Sequence, residues 1–169
     1  MKIDVSIIAK NSGTSLNIMF NENIADLKTY DDGFEFNNPV EFSGQLVNVS
    51  GVFKLSGYLK TGYIVKCYRC LKDIKGEMDL EIKEDFVNAE KSTDPEDYTY
   101  EGNAIIIDKA LKDNIILNLP MKQICAESCK GLCALCGADL NIESCGCKGD
   151  TVNPQMETLK RFFKIDSKG

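Results

Sequence analysis

The sequence predicts an α+β fold that is β-rich, with mainly antiparallel strands, two helices and a C-terminal cysteine-knuckle segment. Three observations support this fold class. Apolar residues alternate with polar ones over several stretches of the first half, which is the period of half-buried strands. Two later stretches place their apolar residues on one helical face. Finally, six of the eight cysteines lie between Cys125 and Cys147.

The first predicted element is a hairpin at the start of the chain. Two sets of apolar residues alternate with polar neighbours there: Ile3, Val5 and Ile7, and then Leu16, Ile18 and Phe20. Residues 11–13, with the sequence Asn-Ser-Gly, predict the turn between them. We therefore expect these two stretches to pair with each other, and residues 31–39 to form a loop.

Several more strands are predicted in the first half. They cover residues 40–49, 52–59 and 63–67 and a stretch in which Met78, Leu80 and Ile82 alternate with charged residues. Ser50 and Gly51 join the first two strands, and a turn is expected at residues 60–62. The pair Cys67-x2-Cys70 would then stand at the end of a strand.

The second half of the chain changes character. Residues 88–101 are polar and acidic and contain Pro95, so we expect an exposed loop. Asp108 is a good helix N-cap and Pro120 ends a helical pattern. The apolar face of this predicted helix consists of Leu111, Ile115, Ile116 and Leu119.

A second helix is predicted after the cysteines. Asn153 as a cap and Pro154 at the first helical position indicate its start. Met156, Leu159 and Phe163 share one face, which either packs on the same domain or binds a partner. At 169 residues the chain fits one domain, residues 1–169. We divide it into a β-rich part (1–87), an acidic loop (88–102) and a part with the helices and knuckles (103–169).

The eight cysteines favour metal binding over disulfides. The start of the chain has no secretory apolar region and no stretch approaches the length of a membrane span, so a cytoplasmic protein without membrane contact is expected. A reducing cytosol disfavours a disulfide scaffold. Because the chain has no histidine, its metal sites would use thiolate sulfur. Eight thiolates match two tetrahedral zinc ions. The predicted ligands are Cys67, Cys70, Cys125, Cys129, Cys133, Cys136, Cys145 and Cys147.

The cysteines form four close pairs, and keeping these pairs intact leaves three ways to divide them between two sites. We predict the grouping with the shortest connection for one site. It places Cys133, Cys136, Cys145 and Cys147 together, and Cys67, Cys70, Cys125 and Cys129 together. The second group would attach the β-rich part to the C-terminal segment.

The charge is unevenly distributed along the chain. The formal charge of -6 excludes binding to nucleic acid through bulk charge alone. Residues 54–75, however, contain six basic residues against one acidic residue, with tyrosines between them. Such a stretch is typical of RNA surfaces, and equally of ordinary solvated strands. The candidate RNA-binding residues are Lys60, Lys66, Tyr68, Arg69 and Lys72. Residues 77–101 are strongly acidic and could face a basic protein.

Other functions remain open from the residues alone. The spacing Cys129-x3-Cys133-x2-Cys136 occurs in radical enzymes that bind an iron-sulfur cluster, but too little chain surrounds it for their barrel. A thiol redox protein could use Cys67-x2-Cys70 as its dithiol. A zinc-stabilised protein-interaction module without RNA contact is the third alternative. Hydrolytic machinery is not identifiable in a chain without histidine.

Two groups of residues resemble a known family. The first is Cys67-Tyr68-Arg69-Cys70-Leu71. The second comprises Leu119-Pro120, Cys125, Cys129-Lys130-Gly131-Leu132-Cys133, Cys136-Gly137, Leu140-Asn141, Cys145, Cys147, Asn153-Pro154 and Leu159-Lys160. In this order they resemble the YceD family of bacterial large ribosomal RNA subunit accumulation proteins. The resemblance implies a non-enzymatic factor needed for 23S ribosomal RNA accumulation. Its implied partners are 23S RNA or its precursor, with a large-subunit ribosomal protein as a further candidate.

Overall fold

The structure is a computed structural model that describes residues 1–24, 27 and 33–147. Those residues form β1 (Lys2–Asp4), α1 (Ser6–Ala9), β2 (Ser15–Glu22), β3 (Phe34–Glu35), β4 (Val40–Val49), β5 (Val52–Lys66), β6 (Asp73–Asn88), β7 (Tyr98–Tyr100), β8 (Ala104–Ile106) and α2 (Asp108–Leu117). The predicted fold class is confirmed, because the described chain is strand-rich, mainly antiparallel and ends in a cysteine segment. The helix predicted from Asn153 lies outside the described residues.

Most strands belong to one sheet with the order β2-β4-β5-β6-β7. All neighbours in it are antiparallel except β6 and β7, and β3 pairs with the end of β5. The longest pairing joins β5 to β6, from Phe53 opposite Phe86 to Lys66 opposite Asp73. The connection between these two strands is the knuckle Cys67-x2-Cys70. The sheet therefore presents its first cysteine pair at the end of its longest ladder.

The turn predicted at residues 60–62 is wrong, because β5 continues through them. Thr61 and Gly62 keep their places in the ladder, opposite Met78 and Glu77. Gly62 therefore lies within the strand, where it faces the side chain of Asn38, and does not form a turn. A Cβ atom on Gly62 would lie only 2.4 Å from Nδ2 of Asn38.

The predicted first hairpin is also wrong. β1 pairs antiparallel with β8, and β2 pairs with β4. The residues after β1 form α1, whose Ile8 is buried. The buried side chain of Asn48 fixes this helix on β4, since its Nδ2 donates to the carbonyl of Ile8 at 2.7 Å and to that of Ala9 at 3.2 Å. These long-range contacts override the local alternation.

The hairpin between β4 and β5 is confirmed. Ser50 and Gly51 have φ angles of 54° and 87°, and Val49 lies opposite Val52. Two successive left-handed residues match the twist of a two-residue hairpin. The hydroxyl of Tyr100 donates to the carbonyl of Gly51 at 2.8 Å and so ties the turn to β7.

The core lies between the inner face of the main sheet and α2. Its largest fully buried side chains are Phe42, Phe53, Phe86, Ile8, Leu27, Leu46, Leu55, Leu59, Ile82, Ile105, Ile107 and Leu111. Helix α2 begins at Asp108 and buries Ala110, Leu111 and Ile115. The predicted cap is one position off, because Ile107 occupies the N-cap position and no side chain caps the helix. From the C-terminal end of α2 the chain passes directly to the second group of cysteines.

The acidic stretch is only partly a loop. Turns lead from Asn88 to Asp97, but its last residues form β7, parallel to β6. The expectation of an unpacked loop is therefore wrong for this end. Its two tyrosines explain the difference, because the ring of Tyr98 packs 5.7 Å from that of Phe86 and Tyr100 packs 4.9 Å from Phe53.

Candidate metal centres

The eight thiols form two groups of four in the described part of the chain. Tetrad 1 contains Cys67, Cys70, Cys125 and Cys129, and tetrad 2 contains Cys133, Cys136, Cys145 and Cys147. Within each tetrad all four sulfur atoms lie within 4.8 Å of one another. This is the grouping predicted from the spacing.

The sulfur spacing fits a single tetrahedral ion and not a disulfide. In tetrad 1 the sulfurs of Cys70 and Cys125 are 3.6 Å apart, and those of Cys67 and Cys129 are 4.0 Å apart. A disulfide would need about 2.05 Å. Four sulfurs at about 2.3 Å from one central ion would be about 3.8 Å apart in a regular tetrahedron. In both tetrads the four sulfur atoms are therefore close enough to bind one thiophilic metal ion.

Backbone N–H groups stabilise the thiolate form of one cysteine in each tetrad. Burial opposes ionisation of Cys67, but N–H groups of Cys70, Arg69 and Cys125 outweigh it and lower the pKa of this thiol to about 6. In tetrad 2 the N–H groups of Cys136 and Leu135 lower the pKa of Cys133 to about 6. In both knuckles, the donors include the amides two and three residues after the first cysteine.

Two further thiols, Cys125 and Cys147, resist ionisation because neighbouring thiols form hydrogen bonds with them. A hydrogen bond with Cys129 is the main reason why the pKa of Cys125 rises to about 12. The corresponding bond with Cys136 raises the pKa of Cys147 to about 12. Four thiolates so close together repel one another, and only a cation between them makes full ionisation favourable. The donor set thus calls for a divalent metal.

The two knuckles have the same backbone form but different residues at its tightest point. The N–H of Leu71 donates to the carbonyl of Cys67, and the N–H of Gly137 donates to that of Cys133, both at 2.9 Å. The φ angles of Leu71 and Gly137 are 60° and 75°. Glycine adopts this left-handed conformation freely, whereas leucine does so at a cost. Knuckle 1 (residues 67–71) therefore has a strained backbone, whereas knuckle 2 (residues 133–137) does not.

Arg69 joins knuckle 1 to the C-terminal cysteine segment. Its Nη1 donates to the carbonyls of Glu127 at 3.2 Å and Cys129 at 2.9 Å. Its own carbonyl accepts the N–H of Leu132 at 2.9 Å, and a Cβ atom on Gly131 would lie only 2.9 Å from that carbonyl oxygen. Arg69 thus has a structural role that the sequence did not indicate.

A second link lies next to Arg69. The N–H of Tyr68 donates to the carbonyl of Gln123 at 2.9 Å, and Nε2 of Gln123 donates to the hydroxyl of Tyr63 at 2.9 Å. Since Tyr63 is a buried residue of β5, the segment after α2 is fastened to the sheet on both sides of tetrad 1.

Tetrad 2 is built almost entirely from its own segment. The chain folds back on itself, with Leu132 paired to Asp139 and the N–H of Cys133 donating to the carbonyl of Ala138 at 2.8 Å. Cys136 and Cys147 are exposed and the other two thiols are half-buried. In tetrad 1, by contrast, only Cys125 is exposed.

Asn141 connects the two tetrads, and sequence reasoning missed it. It lies in the loop between Cys136 and Cys145, yet its Nδ2 contacts the sulfur of Cys129 in tetrad 1 at 3.6 Å. The same amide group donates to Oδ1 of Asp139 at 2.6 Å, and its Oδ1 accepts the N–H of Lys130 at 2.8 Å. The Asp-x-Asn pattern, which is typical of side-chain-capped turns, was the available signal.

The predicted RNA-binding lysines on β5 lie in ion pairs. Lys60 contacts Asp79 at 3.1 Å and Lys66 contacts Asp73 at 2.8 Å. Since β5 and β6 are adjacent, the basic and acidic stretches of the sequence face each other along one ladder. RNA binding by these residues stays a prediction. Tyr68 and Lys72 are exposed, whereas Arg69 is occupied by the carbonyls described above.

No helix among the described residues combines the length and apolar character required to cross a membrane.

Comparisons with known proteins connect this site to one family. The family model described as "Large ribosomal RNA subunit accumulation protein YceD" matches residues 55–163, which include both tetrads. A Mycobacterium leprae protein named only as uncharacterized is 27% identical over 138 residues, covering 78% of this chain and 63% of that protein. No solved structure matches.

Plant and Bacillus relatives extend the comparison. A Zea mays protein, the chloroplastic homolog 1 of the large ribosomal RNA subunit accumulation protein YCED, is 27% identical over 165 residues, covering 78% of this chain and 56% of its own length. The uncharacterized protein YlbN of Bacillus subtilis is 28% identical over 121 residues, covering 70% and 68% of the two chains. The chain thus spans less than two thirds of the length of the mycobacterial and maize relatives.

Proposed function

This chain belongs to the YceD family of large ribosomal RNA subunit accumulation proteins, and on that premise we propose that it is a non-enzymatic, cytoplasmic factor in bacterial ribosome biogenesis. Its proposed task is to support accumulation or maturation of 23S ribosomal RNA. The observation that carries this proposal is the family match over residues 55–163, which includes most of the sheet's longest ladder and all eight cysteines.

Zinc is the metal we propose for both tetrads. Four cysteine ligands without an open position are typical of structural zinc. The sulfur spacing supports a single ion, since a cluster of several irons would hold its cysteine ligands farther apart. When bound, zinc supplies a cross-link between chain segments and no reaction. Metal analysis of the purified chain should give close to two zinc ions, and iron with visible charge-transfer absorption would contradict the assignment.

The tip of knuckle 1 is the RNA contact we propose. We define the knuckle tip as Tyr68, Leu71, Lys72 and the adjoining Lys122. Tyr68 is 63% exposed, and its backbone bond to Gln123 brings Lys122 next to it. Within the described residues, neither Lys72 nor Lys122 lies in an ion pair. An exposed aromatic ring beside free cations suits single-stranded RNA, where the ring stacks on a base and the cations meet phosphates.

Two matched double variants test where RNA binds. Lys72→Glu with Lys122→Glu changes the knuckle tip, and Lys60→Glu with Lys66→Glu makes the same charge change on β5. We expect the tip variant to lose most binding to 23S RNA fragments and the salt slope to fall by about 1.4, at about 0.7 per lost phosphate contact. The β5 variant should bind nearly as the parent does. The opposite order would place the contact on β5.

The biological proposal needs a separate experiment in cells. Crosslinking followed by sequencing of the attached RNA should enrich 23S RNA or its precursor, and depletion of the protein should lower 23S relative to 16S RNA. An unchanged 23S to 16S ratio after depletion would refute the proposed function. If the ratio falls but no RNA crosslinks, a protein-interaction module acting on a ribosomal protein becomes the better description.

A further inference from the structure

Asn141 sits at the only described side-chain contact that joins the loop of tetrad 2 to a sulfur of tetrad 1. Its amide orientation can be assigned from its partners. The N–H of Lys130 can only donate, so the atom that faces it at 2.8 Å must be Oδ1. Asp139 accepts from the opposite side at 2.6 Å. The remaining hydrogen of Nδ2 therefore points towards the sulfur of Cys129.

A hydrogen bond donated to a ligand sulfur fixes the orientation of that ligand. Donors in the outer shell of a metal site orient the ligands and raise metal affinity. Cys129 is 6% exposed, so water has little access to replace this donor. Asn141 is thus suited to support the metal of tetrad 1 although it belongs to the ligand loop of tetrad 2.

The position of Asn141 depends on tetrad 2. It lies between Cys136 and Cys145, and the loop is fastened to residues 131–133 by backbone bonds, including that from Leu140 to the carbonyl of Gly131 at 3.0 Å. A metal ion in tetrad 2 would hold both ends of this loop together and reduce its conformational freedom. Without it, the loop would place Asn141 against Cys129 for a smaller fraction of the time.

We propose that Asn141 is a positioning residue that couples the two centres, so that metal in tetrad 2 strengthens metal binding in tetrad 1. This inference rests on the metal part of the proposed function. It is independent of RNA, because it concerns only how the chain holds its own ions.

The zinc-loaded full chain can be tested with a chelator and a thiol-alkylating reagent. Trypsin cuts after Lys122 and Lys130, so one peptide carries Cys125 and Cys129 while the next carries all of tetrad 2. Mass spectrometry then reports the two tetrads separately in the same molecule. The exposed Asn17 on β2 provides the control, because Asn17→Asp makes the same charge change as Asn141→Asp far from both tetrads in the sheet.

Asn141→Asp removes the donation to sulfur together with the bond from Nδ2 to Asp139. The exchange of Asp139→Asn with Asn141→Asp separates the two, because the swapped pair can still share a hydrogen bond while the sulfur of Cys129 keeps no donor. Aspartate keeps the oxygen that accepts from Lys130 but replaces the donor to Cys129 with a second oxygen. We expect alkylation of the tetrad 1 peptide to become about tenfold faster, as for other outer-shell changes, while Asn17→Asp has no effect. If Asn141→Asp behaves as the parent and only Asn141→Ala alters alkylation, the residue serves the loop alone and the proposal is overturned.

Coupling is tested by removing tetrad 2. Cys136→Ser with Cys147→Ser should accelerate alkylation of the tetrad 1 peptide in the parent chain by a similar factor, and should add little when Asn141→Asp is already present. Independent, multiplying effects would overturn the coupling. A chain that takes up no metal would refute the zinc assignment and this inference together, whereas normal zinc loading with unchanged protection would refute this inference alone.

Discussion

Tetrads 1 and 2 use the same four ligands in opposite settings. Tetrad 1 is assembled from two distant segments, with Cys70 and Cys125 separated by 55 positions, and three of its thiols are buried. Tetrad 2 spans residues 133–147 and leaves two thiols exposed. The same chemistry therefore serves two purposes: tetrad 1 joins the sheet to the cysteine segment, and tetrad 2 shapes that segment alone.

The two tetrads also differ in burial, and this should affect how much each contributes to stability. Three ligands of tetrad 1 are buried, so a metal ion bound there would be shielded from water, whereas two ligands of tetrad 2 face solvent. Tetrad 1 also closes a much longer loop, although loop length by itself adds little, since closure entropy grows only logarithmically. Loss of tetrad 1 should therefore affect the whole domain, whereas loss of tetrad 2 should affect its own segment and reach the sheet only through weaker metal binding in tetrad 1.

The largest expected effect is that of Cys67→Ser. Cys67 is fully buried and receives three backbone N–H groups, so its replacement should remove the ion of tetrad 1. Structural zinc contributes on the order of 10 to 16 kcal/mol of apparent binding free energy, against a net domain stability of roughly 5 to 15. We expect a large drop in the thermal midpoint and rapid proteolysis after Lys122 and Lys130.

Circular dichroism and metal analysis check this prediction. Strand signal should persist at low temperature, because the core between the sheet and α2 does not involve the cysteines. A Cys67→Ser chain that retains two zinc ions and the parent's thermal midpoint would show that tetrad 1 does not hold the segment.

Cys136→Ser should have a smaller and local effect. It removes an exposed ligand of tetrad 2, so we expect one zinc ion per chain and a free energy of unfolding at most about 1.4 kcal/mol below the parent's, which is the equivalent of the tenfold coupling to tetrad 1. Only residues 131–147 should become sensitive to protease. Equal losses of global stability in Cys136→Ser and Cys67→Ser, measured by urea denaturation, would abolish the distinction between the tetrads.

The sequence was informative where the interactions are local. The hairpin at Ser50 and Gly51 was predictable because two-residue turns have a recognisable composition and clear strands flank them. Tetrad membership was predictable because close cysteine pairs restrict the possible groupings. The start of α2 was predictable to within one residue, because an acidic residue stands directly before the helical apolar pattern.

Long-range pairing was not predictable. β1 pairs with β8, about a hundred residues away, and no local signal marks that choice. The ion pairs of Lys60 and Lys66 depend on the register of β5 against β6, which sequence charge counts do not contain. Arg69 was predicted to bind RNA because the sequence does not show its partners in the fold. The carbonyls of Glu127 and Cys129 become its neighbours only after folding.

Arg69→Gln should have an intermediate effect on tetrad 1. It removes two hydrogen bonds from a charged donor to the segment that carries Cys129, and such bonds contribute about 1.5 to 3 kcal/mol. Lys75→Gln, at an exposed position of β6, is the matched control for loss of one positive charge. Urea unfolding should give a deficit of about 2 kcal/mol for Arg69→Gln and little change for the control. Equal stability of both variants would mean that the guanidinium of Arg69 does not help to hold the cysteine segment.

The smallest expected effect comes from exchanging the residues at the tight points of the two knuckles. Leu71 is 57% exposed and has a φ of 60°, so glycine would relieve backbone strain and sacrifice little burial. Relief of about 1 to 2 kcal/mol, reduced by the greater freedom of glycine in the unfolded chain, leaves Leu71→Gly more stable by about 0.5 to 1 kcal/mol.

Gly137→Leu makes the opposite change and should loosen tetrad 2 alone. Since tetrad 1 is coupled to the sheet, the gain from Leu71→Gly should appear in global unfolding, whereas the loss from Gly137→Leu should appear only as faster zinc release from tetrad 2. If both changes alter only local zinc release, knuckle 1 is as independent of the sheet as knuckle 2, and the contrast between the tetrads must come from burial and not from connection.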